Sequence, residues 1–123
     1  MGKTTELRRV IVKQLQAVLG PTHHMDAPPN AAYPYKTYRL SAKFPDCAQM
    51  DFSLTVDIWD RSADWKTVEN IADQIEKLLN GANLPSGSLF PTFFLESRDP
   101  VSDSDKQIRH IQQQFYIHLY EEE

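Results

Sequence analysis

One cysteine in 123 residues, Cys47, cannot form an internal disulfide, which fits a reducing cytoplasm and leaves the fold to be held by its core. Glycine is scarce as well, with four in the chain, and no glycine-rich phosphate loop is available. Gly2-Lys3-Thr4-Thr5 has the ending of such a loop. That chemistry needs a strand and a run of backbone amides before it, and here only Met1 precedes it. The segment therefore reads as a helix start. There is no apolar run near the length of a membrane span, and "MGKTTELRRV" has no apolar core of a signal peptide. Positive charge is in deficit, 13 Lys and Arg against 17 Asp and Glu, so specific nucleic-acid binding is not expected. Arg8, Arg9 and Lys13 are a few cations on one helix. What remains has ordinary soluble composition, 41% hydrophobic and 24% charged, at a length that fits a single domain over residues 1–123.

Periodicity organises that domain. Residues 4–19 place Leu7, Val10, Ile11, Leu15, Val18 and Leu19 at helical spacing, with Thr4 or Thr5 to cap the start and Gly20-Pro21 to stop it. A proline-rich loop over 21–34 follows. Residues 35–44 alternate, with Tyr38, Leu40, Ala42 and Phe44 on one side, and "PDCAQ" (45–49) suits a hairpin connection. In 50–60, Phe52, Leu54, Val56 and Ile58 face one way; Asp51, Ser53, Thr55, Asp57 and Trp59 face the other. Ser62 or Asp64 can cap a second helix bearing Val68, Ile71, Ala72, Ile75, Leu78 and Leu79, ended by Asn80-Gly81. Residues 89–98 are strand-like, with Pro91 pointing to an edge. The last strand directs Ile111, Phe115, Ile117 and Leu119 inward. The expected fold is α+β, in two layers. A mostly antiparallel four-stranded sheet carries both helices on one face, in the order α-β-β-α-β-β.

The free sheet face should then hold Tyr35, Trp59, Tyr116 and Tyr120 among Thr, Gln, Asp and His. Tyrosine and tryptophan are favoured at interfaces because they bury area at one end and stay wet at the other. Loops or the chain's own ends could cover some of these rings instead. Other candidates for chemistry dissolve one by one. Adjacent His23 and His24 rarely converge on one metal, and no Cys or His cluster completes a zinc set, so they read as surface histidines in a loop. Cys47 has no histidine beside it in sequence to make it a nucleophile. Residues 99–105 bring Asp99, Asp103 and Asp105 close in sequence, but without the glycine and terminal glutamate of a calcium loop. Asp, Ser and Pro are ordinary turn formers, so this is an exposed acidic connection, either plain or docked on a partner.

The layout as a whole resembles the small tail-terminator or tail-completion proteins of long-tailed phages and prophages, also described as minor capsid or tail-to-head joining proteins. The resemblance rests on "LQAVLG", "AAYPYKTYRL", the strand "FSLTVDIWDR" with the helix after it, and the closing "RDPVSDSDKQIRHIQQQFYIHLYEE". It implies structural work: an oligomeric ring, commonly a hexamer, that caps the tail tube and meets the head connector. It further implies no enzyme activity, no cofactor and no metal, with assembly in the host cytoplasm and residence at the head–tail junction. Partners would be further copies of the chain, the tail tube protein and the head connector protein, with no membrane. Trp59, Trp65, Asp99, Asp103, Asp105, Arg109, Tyr116 and Tyr120 are the expected interface residues. The alternatives are a head-completion protein of the same particle and a non-viral α+β protein-binding adaptor.

Overall fold

The computed structural model describes residues 2–43 and 50–121. In chain order these form α1 (Lys3–Gln16), β1 (Thr22–His24), β2 (Tyr35–Lys43), β3 (Met50–Arg61), α2 (Lys66–Leu79), β4 (Leu89–Val101) and β5 (Ile108–Glu121). The sheet runs β1-β2-β3-β5-β4, with β1 parallel to β2 and the other neighbours antiparallel. It is therefore five-stranded and mixed, where four mostly antiparallel strands were expected. The additional strand lies in the proline-rich connection. Lys36 N donates to Pro21 O at 2.8 Å and Met25 N donates to Tyr38 O at 2.8 Å, stitching three residues onto the β2 edge. His23 and His24 are thus strand residues, packed against the rings of Tyr35 and Tyr38. Phe44, Cys47 and the expected turn over 45–49 lie outside the described residues.

Alternation builds the core as the sequence suggests. Leu40, Leu54, Phe115 and Leu95 lie in one cross-strand row, and Ala42, Phe52, Ile117 and Phe93 in the next. Phe52, Leu54, Val56, Ile58, Phe93, Phe115 and Ile117 are closed to solvent beneath Leu7, Ile11 and Leu15 of α1 and Val68, Ile71, Ala72, Ile75 and Leu79 of α2. Each such large side chain contributes about 1.5–3 kcal/mol by leaving water. Leu19 is exposed, since α1 ends at Gln16 and the chain has already turned away. Neither Thr4 nor Thr5 caps α1; Gly2 holds the cap position without a side-chain bond. At α2, Asp64 Oδ1 accepts from Lys66 N at 3.0 Å, and Gly81 takes a left-handed φ of 76° after Asn80.

Two polar side chains fully closed to solvent, Lys36 and Gln113, break the apolar face, and each ties a helix to the sheet. Lys36 is fully buried on the core side of β2. Its Nζ donates to the carbonyls of Val18, Leu19 and Gly20 at 3.0, 2.9 and 2.6 Å. These carbonyls follow α1, where a helix leaves acceptors unpaired and a cation is favoured. Gln113, also fully buried, donates from Nε2 to Ala72 O in α2 at 3.0 Å. Beside it across the β4–β5 register, Arg98 reaches Asp73 Oδ1 at 2.6 Å and Glu76 Oε1 at 3.5 Å.

The edge strand β4 tolerates Pro91 and is partly sealed by the connection after α2. Gly81 N donates to Phe93 O, Phe93 N to Ala82 O, and Leu84 N to Pro91 O. Asn80 Oδ1 accepts from Leu95 N at 2.9 Å, just before a register shift between Leu95 and Ser97. Strand β4 continues to Val101, so Asp99 belongs to the strand, opposite Gln112, and not to the acidic turn.

Candidate interface on the open sheet face

Both helices cover one side of the sheet, and alternation sends every second residue of β2, β3 and β5 to the other. At one end of that open face the rings form a row. Tyr33 sits 5.3 Å from Tyr35, Tyr35 stacks on Trp59 at 5.2 Å, and Trp59 stacks on His110 at 4.3 Å between centroids. The row follows from register, since Tyr35 opposes Trp59 and Trp59 opposes His110. Tyr33 comes from the loop before β2, so the chain covers part of its own aromatic surface. Burial, then the neighbouring Tyr33, raises the Tyr35 pKa above its ordinary value.

Polar bonds continue the row in both directions. Arg61 lies over the Tyr33 ring at 5.7 Å and pairs with Asp105 Oδ2 at 3.0 Å. The Gln107 backbone N–H, then Arg61, hold the Asp105 carboxyl below its ordinary pKa. Asp103 Oδ1 accepts from Asp105 N and Asp105 Oδ1 from Gln107 N, at 2.9 and 3.0 Å, so these carboxylates shape their own turn. At the other end His110 Nε2 donates to Asp57 Oδ1 at 2.6 Å, and Gln112 Nε2 donates to the same oxygen at 3.1 Å. Further along, nearly buried Asp51 accepts from the Tyr116 hydroxyl, and its other oxygen lies 3.1 Å from His118 Nδ1. The bond to Asp51 raises the Tyr116 pKa. Among the described residues no three His, Cys, Asp or Glu side chains come together as a metal set.

The expected interface residues fall on different surfaces. Trp59, Tyr116 and Tyr120 share the open face. Trp65 lies on the helix side, packed against the core, and Arg109 stacks over it at 5.4 Å while donating to Ser62 O and Ala63 O at 3.1 and 2.9 Å. Trp65 and Arg109 thus contact each other within one chain. Trp59 is partly covered by its two ring neighbours, whereas Tyr120 and Phe94 stand exposed. Phe90 and Phe94, opposite Tyr120 and Tyr116, were legible as outward positions of β4 only once the strand's pairing was known.

The described residues thus form an α+β layer with one face covered by two helices and one open face carrying a row of aromatic rings. The chain belongs to the tail completion protein gp17 family, whose profile matches residues 8–120. It is in that sense a structural tail protein. Among solved structures it is similar to a chain from the virion of a native gene transfer agent particle. That match has a TM-score of 0.75 and 14% identity, and covers 94% of this chain and 96% of that one. A second solved chain matches with a TM-score of 0.76 and 14% identity over 100% of this chain and 99% of its own. At such identities the likeness is one of fold. No curated protein sequence matches.

Proposed function

We propose that the protein caps the tail tube of a phage-like particle and joins the tail to the head connector, acting as a ring of identical subunits. Family membership over residues 8–120 carries this reading. The wet aromatic face supports it, since rings held in a polar net on an open sheet suit burial against another protein. The work is non-enzymatic: binding surfaces set the end of the tube and hold the joint. The ring comprises several copies, six in the form the family resemblance suggests, and its partners are the tube protein below and the connector above. Assembly takes place in the host cytoplasm and the protein remains in the virion at the head–tail junction.

Deletion of the gene with complementation in trans tests the proposal. Electron microscopy of the deletion strain should show tails of uncontrolled length or tails separated from filled heads, with joined particles restored by the wild-type gene. Joined, correctly terminated tails in the deletion strain would refute it.

A further inference from the structure

The outer edge of β2 is only partly covered. Lys36 N donates to Pro21 O and Met25 N donates to Tyr38 O, so these alternate residues turn their backbone groups outward, away from β3. The β2–β3 register runs from Tyr35 to Lys43 without a shift, and Leu40 and Ala42 therefore direct theirs the same way. Strand β1 does not reach them. Met25 takes a left-handed φ of 67° and Asp26 N donates to His24 O, which turns the chain off the edge after three paired residues. No described residue bonds to the outward N–H and C=O groups of Leu40 and Ala42. An open edge of this kind is a template for another strand.

The side chains say which kind of strand. Arg39 and Lys43 are exposed on the open face, and make no ion pair among the described residues. Asp51, opposite Lys43 in register, already accepts from the Tyr116 hydroxyl and faces His118. On the other side of the strand Leu40 packs against the core, and Ala42 stands exposed beyond it. Like charges facing each other across strands repel, and opposite charges attract. A second copy of the same edge would set cations against cations; a strand bearing carboxylates would meet them.

We propose that the β2 edge from Arg39 to Lys43 is a docking site for an extended acidic segment of a partner protein, added as a further strand in line with β1. Its backbone pairs with Leu40 and Ala42, and two carboxylates four residues apart pair with Arg39 and Lys43. Apolar side chains between the carboxylates lie beside Leu40 and Ala42. The end that meets the turn at Met25 is uncharged, because Asp26 is exposed there. The site does not depend on the ring, and the free protein tests it.

The probe is a capped nine-residue peptide in which Val alternates with Thr and two Glu stand four residues apart; its control carries Lys for Glu. Isotope-labelled protein is followed by NMR hydrogen exchange. At about 1 mM the acidic peptide should slow exchange at the Leu40 and Ala42 amides, and the Lys peptide should not. Ala42→Pro removes an outward N–H and no bond to β3, so it should keep the wild-type melting curve and weaken binding about tenfold or more. Arg39→Glu with Lys43→Glu, both at exposed positions, should lose the acidic peptide and take the Lys peptide instead. That exchange of preference decides the case should Ala42→Pro fail to fold. Unprotected Leu40 and Ala42 amides, equal binding of both peptides, or changes confined to the cationic face of α1 would each overturn the site. Protection that grows with protein concentration in the absence of peptide would place a second copy on the edge and overturn the proposed partner.

Discussion

Replacing Lys36 by Met should leave stability little changed at neutral pH and make the wild type the more stable protein as pH rises. The Lys36 ammonium is closed to solvent, and burial lowers its pKa from 10.5 to about 8. At about 1.4 kcal/mol per pH unit, that gap corresponds to a burial cost of about 3 kcal/mol while the group is charged. Below pH 8 the folded and unfolded chains both hold the proton, and the full cost is present. Between pH 8 and 10.5 the unfolded chain holds more proton than the folded one, so stability due to this group rises with pH. Above 10.5 both forms are neutral and the cost is gone.

Methionine removes the charge but also strands the carbonyls of Val18, Leu19 and Gly20. Leaving a buried acceptor such as Val18 O without a donor costs about 1–3 kcal/mol. At pH 7 the two effects oppose each other at similar size, so the variant should lie within about 2 kcal/mol of wild type. Urea unfolding of both proteins, followed by circular dichroism from neutral pH to above 10, measures the difference. Groups such as Tyr35 and Tyr38 titrate in both proteins and cancel in the comparison. The wild type should gain up to about 3 kcal/mol on the variant over this range. Parallel pH profiles, or a wild type that loses ground above pH 8, would refute the placement of a buried, charge-bearing lysine at the end of α1.

Val56→Asp puts an unpaired carboxylate where Val56 is fully buried, and should cost several kcal/mol, enough to unfold a domain of ordinary stability. An unchanged melting temperature would contradict the assignment of the core face. Gly20→Ala should destabilise by about 1–3 kcal/mol, because Gly20 has φ +94° and a Cβ there would lie 2.6 Å from the Pro34 carbonyl oxygen. A melting curve coincident with wild type would show that the α1–β1 corner is not held this way. Calcium titrated calorimetrically should reveal no site tighter than about 10 µM. The reason is local: Asp103 and Asp105 spend oxygens on backbone N–H groups and on Arg61. A tighter site abolished by Asp103→Asn would overturn this.

The sheet and both helices could be read from the chain because alternation and helical spacing follow from which side of each element is dry. Phe52, Leu54, Val56 and Ile58 mark that side without ambiguity, and each is fully buried. What escaped were the residues that satisfy backbone or charge across the fold. Lys36 breaks the apolar set of β2, and only the position of the α1 end shows that its ammonium meets three carbonyls there. Strand β1 escaped for a related reason: three residues carry no periodicity, and their pairing is fixed by Pro21 and Met25 reaching the outer side of β2. On the open face, the outward positions of Trp59 and Tyr116 were legible, but Asp57 and Asp51 as their organisers were not. A carboxylate at an outward position looks solvated until the register brings His110, Gln112, Tyr116 and His118 against it. Register also removes Trp59 from the most exposed surface, by stacking it between Tyr35 and His110, and leaves Phe94 and Tyr120 uncovered. Residue type alone points to tryptophan as the anchor of an interface, whereas exposure after folding points to the edge rings. An interface built on this open face should therefore depend more on Tyr120 and Phe94 than on Trp59, whose loss would first disturb the chain's own face.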